Sequence, residues 1–581
     1  MSRNAEIAGL LEEFADLLDA KDVEYKPRAY RRAAESVREH PRPIEEVAAD
    51  PDALTEIDGV GEAIGEKIVE YLETGEIEEL EELREELPVD MAALTAVEGV
   101  GPKTVGTLYE ALGVTDLDDL ERAAEAGEIR EVSGFGAKTE SNILENIPFA
   151  RQTRERQLLG EARPLADEVL ARLDGADAVE RCEVAGSIRR WRDTIGDVDV
   201  LAASTASEAV VDALTDWERV GDVIEAGPSK ASVRIQGVRV DLRVVDPEEF
   251  GAALQYFTGS KDHNLAVRNR AIDRGLKMNE YGVFDVSEVE DPDAGQRVGV
   301  RLGGRTEAEM YGALDLPVIP SELREDTGEI EAAAAGDLPD LLTVQDVRGD
   351  LHTHTEWSDG DATIEEMVTA AAERGYDYHC VTDHATGPGM VGGVGLDPDE
   401  LREQADAVRE VAAEAPIPVY HGVEANVDAA GELSTPDDVL ADLDVVIASP
   451  HSALDQDRET ATERLIRAVE HPAVDVLGHP HGRLLNRRAG LDLDLERVAE
   501  AAAANDVALE VNANPHRLDL PGEGVRIAIE AGASVAVDTD GHRPAELGFV
   551  RYGVHTARRG WAEAGDVVNT RDVEAFESFL H

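Results

Sequence analysis

From residue 346 onward the chain alternates short apolar runs with amphipathic helical stretches, and the runs end in side chains able to hold a metal. They read DLHTHTEWSDG, YHCVTDH, VYHGVEAN, VVIASPH, VDVLGHP, VALEVNAN and VAVDTDGH, with TIEEMVTAAAERG, DELREQADAVREVAAEA and LERVAEAAAAN among the stretches between them. A strand buried on both faces reads as a continuous apolar run, whereas a helix packed on it repeats its apolar residues at helical spacing. The alternation predicts a distorted (β/α)7 barrel over residues 346–581, with functional groups gathered at the C-terminal strand ends. Six histidines and three acids sit at those ends. Imidazole and carboxylate together suit Zn²⁺, Mn²⁺ or Fe²⁺, and so many donors imply more than one ion.

The chain has 581 residues, too many for one hydrophobic core, and three to five domains are expected. Asp and Glu total 124 against 55 Lys and Arg, a formal charge of -69. The acids are spread between apolar residues, which excludes a disordered acidic tail and indicates an acidic globular surface. Only eight lysines occur, the last at Lys277. This composition resembles that of proteins from organisms with molar internal salt, a haloarchaeon above all, where the Debye length of about 3 Å weakens acidic self-repulsion. The cysteines, Cys182 and Cys380, lie in separate apolar strands and read as core thiols. No signal peptide or apolar run of membrane length is seen, so a cytoplasmic protein without membrane contact is expected.

In VAGSIRRWRDTIGDVDV, Asp197 and Asp199 alternate on a strand and present two carboxylates to one point. Asp241, in VRVDLRVVD between Arg239 and Arg243, offers a third. Three carboxylates on neighbouring strands can hold two Mg²⁺ or Mn²⁺ about 3.5 to 4 Å apart, the arrangement of nucleotidyl transfer. Ser187, Arg189 and Arg190 add a hydroxyl and guanidinium forks where a triphosphate would lie.

Nearer the N-terminus, Gly59 and Gly61, Gly99 and Gly101, and Gly134 and Gly136 repeat one Gly-x-Gly pattern, each ahead of a helical stretch. Glycine turns that open helices toward an anion suit sequence-independent contact with a nucleic-acid backbone. Upstream, Lys26, Arg28, Tyr30, Arg31, Arg32 and Arg38 form a local basic cluster in an otherwise acidic chain.

The segment around Asp197, together with YFTGSKDHNLAVRNRA, resembles the family X DNA polymerases. The resemblance implies that Asp197, Asp199 and Asp241 hold the catalytic metals. Gly186, Ser187, Arg190 and Gly196 would surround the phosphates; Tyr256, Phe257 and Gly259 would border the sugar, Asn264 would face the base, and Arg268 the template. Lys261 stands where some members have Asp. In the lyase-like segment Lys26 and Tyr30 would grip a 5′-phosphate and Lys67 would be the Schiff-base lysine. Ala63 replaces a second phosphate-binding lysine there, which leaves the lyase step open. The C-terminal barrel resembles a PHP domain (polymerase and histidinol phosphatase), which implies a trinuclear centre on His352, His354, Asp359, His384, Glu424, His451, His479, Asp540 and His542. Arg483 is either a phosphate clamp or a surface arginine.

The fold expected is multidomain, α+β and α/β. A helix-hairpin-helix lyase-like domain would occupy 1–88, a fingers-type domain with two hairpins 89–150, a nucleotidyltransferase palm with a mixed sheet 151–260, a thumb 261–320, a linker 321–345 and the barrel 346–581. The function implied is a DNA-directed DNA polymerase with a metal-dependent 3′-5′ exonuclease or phosphoesterase barrel. It would act as a monomer on gapped or nicked DNA with a 5′-phosphate, using dNTPs in short-gap base excision repair. The alternatives are an end-processing phosphoesterase with a weak palm, or a non-catalytic scaffold.

Overall fold

Each Gly-x-Gly repeat becomes a turn that only glycine enters without cost. Gly59, Gly99 and Gly134 have φ of 71°, 83° and 97°, in the left-handed region. Gly61 and Gly101 are extended N-cap residues of the helices Glu62–Thr74 and Pro102–Leu112, and Gly136 precedes the helix Ala137–Arg154. A computed structural model provides this description for residues 3–580, apart from 22, 24–25, 40–43, 49–53, 56, 58, 76, 98, 155, 293 and 388–393. The chain forms two compact units, residues 1–157 and 158–581. In the first, helices pack their apolar stripes around Leu11, Phe14, Leu17, Ile68, Leu108 and Ile143.

The second unit begins with a five-stranded palm sheet. Strand Val198–Ala203 lies between Arg181–Val184, antiparallel, and Val238–Val245, parallel. Lys230–Ile235 and Asp222–Ala226 continue it antiparallel. Alternation divides the central strands: Val200 and Ala202 join the core under helices Leu159–Asp174 and Ser207–Thr215, while Leu201 and Ala203 meet helix Phe250–Thr258. The expected mixed sheet is therefore present.

Beyond it, helix Lys261–Ile272 and the antiparallel strands Leu276–Asn279, Gly282–Asp285 and Val300–Gly303 enclose Val267, Met278, Val283, Met310 and Tyr311. Part of the stretch read as a linker belongs to this core. Helix Glu329–Ala335 buries Ile330 and Ala333 in it, and the Glu329 carboxylate lies 2.6 Å from Nδ1 of the buried His263. The alanine-rich composition concealed a packed helix.

Seven parallel strands in sequential order form the C-terminal barrel, from Gly349–Asp350 to Val535–Asp538. A parallel bridge from Thr353 to Gly541 nearly closes it. The returning helices start at designed stops: capping boxes pair Thr363 with Glu366 and Asp397 with Glu400. Among the described residues no helix is long and apolar enough to cross a membrane.

A Cβ on Gly106 would lie 2.0 Å from the carbonyl oxygen of Ala20. Gly106→Ala is expected to destabilise the helical unit by about 1–3 kcal/mol through overpacking, read by denaturant unfolding. An unchanged midpoint would contradict this packing.

Candidate metal centres of the palm and barrel

Asp199 and Asp241 are aligned as direct partners in the parallel register of the two central palm strands. One oxygen from each of Asp197, Asp199 and Asp241 falls within 4.8 Å of the others. Burial, then the charges of Asp197 and Asp241, push the Asp199 carboxyl up to about 7, against the pull of Arg243 and Arg190. Gly186, at φ 59°, makes room for it, since a Cβ there would lie 2.0 Å from Asp199 Oδ2. Converging carboxylates of one sign are a donor set for hard divalent cations, and two such ions in a palm activate an attacking oxygen and neutralise phosphate charge.

The arginines of this segment have protein partners. Arg189 makes a bidentate pair with Glu307 at 2.9 and 2.8 Å and donates to Thr258 Oγ1. Arg190 donates to Glu325 at 2.9 Å and to the carbonyl of Thr258 at 2.7 Å. Asn264 donates to the carbonyls of Tyr256 and Gly259 and accepts from Gln255, so it shapes the turn beside the exposed Tyr256 ring. Phe257 lies under the Arg243 guanidinium, 4.5 Å from the ring centroid. Ser187 and Gly186 lie on the short helix Gly186–Arg189, Gly196 precedes the Asp197 turn, and Arg268 is exposed on helix Lys261–Ile272.

In the barrel the nine predicted residues come together around Glu424. Its carboxylate lies 2.5 Å from His384 Nδ1, 3.0 Å from His479, 3.2 Å from His451 and 3.5 Å from His352. Asp540 lies 3.1 Å from His354, and Asp359 lies 3.4 Å from His384 and 3.3 Å from His542. Three overlapping groups have metal-binding spacing: His354, Asp359, His384 and His542; His352, His354 and Glu424; His384, Glu424 and His451. Burial opposes charge on Glu424, but the rings of His451, His384 and His352 outweigh it and hold the carboxyl well below its usual range.

Divalent cations fit this donor set. His352 Nε2, His354 Nδ1, His384 Nδ1, Glu424 Oε2, His451 Nε2 and His479 Nδ1 are buried without a partner in hydrogen-bonding geometry. Neighbouring acceptors already orient three rings, leaving the other nitrogen for a cation: Glu510 holds His352 Nδ1 at 2.6 Å, Asn426 holds His451 Nδ1 at 2.6 Å, and the Asp540 carbonyl holds His542 Nδ1 at 2.9 Å. Sequence reading missed Glu510, although an acid inside the apolar run VALEVNAN was its signal.

Two expectations are corrected. Arg483 is neither a phosphate clamp nor a plain surface arginine: it binds Asp193 of the palm at 2.9 Å and the carbonyls of Arg517 and Leu518. Tyr30 is buried and stacked on Phe14, which withdraws its ring from a phosphate surface. In the same helical unit Lys67 pairs with Glu79 at 2.6 Å, Arg31 pairs with Asp16 and Asp19, and Lys26 is exposed. The Arg38 side chain lies outside the described residues. A Cβ on Gly61, Gly99, Gly101, Gly134 or Gly136 would meet nothing within 4 Å, so those turns are open to a backbone ligand.

A three-carboxylate palm with a thumb, joined to an imidazole-rich parallel barrel, defines a nucleotidyltransferase fused to a PHP-type metal domain. The chain belongs to the family X polymerases with a C-terminal PHP domain: it is 35% identical over 580 residues, 99% of each chain, to the DNA polymerase/3'-5' exonuclease PolX of Bacillus subtilis (strain 168). Family models match as a helix-hairpin-helix domain over 2–77, a SAM-like helix-hairpin-helix tandem over 91–147, a DNA polymerase beta thumb over 253–325 and a PHP domain over 350–514. Probable phosphatases of Caldanaerobacter subterraneus subsp. tengcongensis and Thermoanaerobacter sp. (strain X514) are 34% and 30% identical over 209 and 247 residues, 33% and 40% of this chain and 75% and 93% of theirs.

With its pKa raised to about 7, Asp199 holds a proton below neutrality. Apparent Mn²⁺ affinity of the palm, measured by calorimetry, is therefore expected to rise about tenfold per pH unit up to pH 7 and to level off above it. A flat profile between pH 5.5 and 7 would contradict this. Gly186→Ala, which displaces the Asp199 carboxylate, is expected to weaken the same affinity at least about tenfold with the fold intact by circular dichroism.

Proposed function

We propose that this protein is a DNA-directed DNA polymerase whose barrel is a metal-dependent 3′-5′ exonuclease or phosphoesterase, filling short gaps in base excision repair. The observation that carries the reading is the register alignment of Asp199 with Asp241 beside Asp197, in a chain that also holds the Glu424-centred histidine cluster. Two hairpin turns open at both glycines, Gly99 with Gly101 and Gly134 with Gly136, and the open Gly61 of the first turn support DNA as the substrate.

In the palm, Asp197, Asp199 and Asp241 would hold Mg²⁺ or Mn²⁺, which when bound would supply neutralisation of the triphosphate charge and easier deprotonation of the primer 3′-hydroxyl. Gly186, Ser187, Arg190 and Gly196 line the triphosphate, and Tyr256, Phe257 and Gly259 the sugar. Asn264 faces the base while holding that turn in place, and Arg268 contacts the template. In the barrel, the six histidines with Asp359, Glu424 and Asp540 hold three ions of Zn²⁺, Mn²⁺ or Fe²⁺. Lys26 and the hairpin glycines meet the DNA backbone, and Lys67 would need to leave Glu79 to act as a lyase nucleophile. The domain limits are those read from the sequence, with the thumb core continuing through helix Glu329–Ala335. The protein is a cytoplasmic monomer of an organism with molar internal salt, where counterion release contributes little and metal bridges and close contacts carry DNA binding.

The test uses a gapped, 5′-phosphorylated duplex with dNTPs and Mn²⁺ in molar KCl. Asp197→Ala with Asp199→Ala is expected to abolish extension and keep 3′ resection, and His352→Ala with His354→Ala to do the reverse. A parent chain that resects without extending would leave only an end-processing phosphoesterase.

A further inference from the structure

The loop joining the arginines to the palm carboxylates is fastened to the barrel. Asp193 lies between Arg190 and Asp197 and receives two barrel guanidiniums, Arg559 at 2.6 Å on Oδ1 and Arg483 at 2.9 Å on Oδ2. Although burial opposes its charge, Arg483 and Arg559 hold its carboxyl down at about 2. Two residues earlier, Trp191 adopts φ 54°, the left-handed region that a bulky side chain keeps only where its surroundings hold it. Those surroundings join the palm's Arg163, whose guanidinium lies 4.7 Å from the ring centroid, to barrel residues of helix Val550–Arg559: the His555 ring stacks on Trp191 at 3.6 Å, the Tyr552 ring meets it edge-on, and Arg559 donates to its carbonyl. His555 and Arg558 also hold Glu322, near the end of the thumb, at 2.8 and 2.6 Å.

None of these barrel residues is a donor of the Glu424 cluster, yet they touch the segment that carries Arg190 and Asp199. We propose that the barrel presets the triphosphate loop of the palm, with Asp193 as a positioning residue that acts through Arg190 on binding of the incoming dNTP. The interaction rests on the palm reading given above. It also runs close to the barrel centre: Arg483 is four residues from His479, and Arg517, whose carbonyl it binds, lies 3.4 Å from Asp540. The inference therefore requires that releasing the loop affect the palm while leaving the barrel cluster in place.

The test measures dNTP affinity of the full chain on a gapped duplex in Ca²⁺, with 3′ resection in Mn²⁺ and thermal melting alongside. The variants are Asp193→Asn, Asp193→Glu, and Asp193→Asn with Arg559→Gln, the last removing both charges so that the fold does not depend on an unpaired Arg559. Asp193→Asn and the double variant are expected to weaken dNTP binding about tenfold with resection within about twofold of the parent, and Asp193→Glu to recover most of the affinity. Parent-like dNTP affinity in these variants would overturn the inference and leave the palm reading standing. Equal losses of affinity, resection and melting temperature would reduce Asp193 to a structural tie and overturn it too. A parent chain that binds no dNTP would defeat the palm reading and the inference together.

Discussion

Parallel pairing of Val198–Ala203 with Val238–Val245 sets Asp199 opposite Asp241, and much of the palm follows from that pairing. A slip of one residue would turn one carboxylate to the opposite face, among Val200 and Val240 in the apolar core. In register, burial first, and then the charges of Asp197 and Asp241, raise the Asp199 carboxyl to about 7. Gly186 removes the side chain that would otherwise occupy the space of that carboxylate. The arrangement is costly for the polypeptide alone and becomes favourable with cations among the oxygens. In a chain of net charge -69, cations are the natural complement.

The barrel reaches a similar condition with different chemistry. Strand ends bring imidazoles around one buried glutamate, and Glu510, Asn426 and a backbone carbonyl orient rings so that their remaining nitrogens converge. Donors so converged and unsatisfied suit borderline metals better than hydrogen bonding among themselves. The two candidate centres share one compact unit, tied through Asp193, Arg483 and Arg559.

What could be read from the sequence was local. Asp197 and Asp199 are two residues apart at the start of a strand, the hairpin glycines repeat one local pattern, and barrel donors end apolar runs. These are periodic signals and they place donors on a face or a rim. Partners far apart in sequence were not legible: Arg189 with Glu307, Arg190 with Glu325, and Arg483 with Asp193, 290 residues away. A basic residue reads the same whether it meets a phosphate or a distant glutamate, so pattern alone could not show that these arginines already have protein partners. Tyr30 misled for a related reason, because a tyrosine inside a basic cluster gives no sign that Phe14 stacks on it. The helix Glu329–Ala335 was hidden by its alanines, and its anchor is the distant His263.

The most direct test of the claim that converged like charges make the palm a cation site is a count of bound ions. Metal-free protein in molar KCl is saturated with Mn²⁺ and the bound ions counted for the parent and for Asp199→Asn with Asp241→Asn. The account predicts that the double variant binds two ions fewer, keeps the barrel ions, and loses the part of the Mn²⁺-induced rise in melting temperature that the palm supplies. An ion count and a metal-dependent melting shift equal to those of the parent would contradict it.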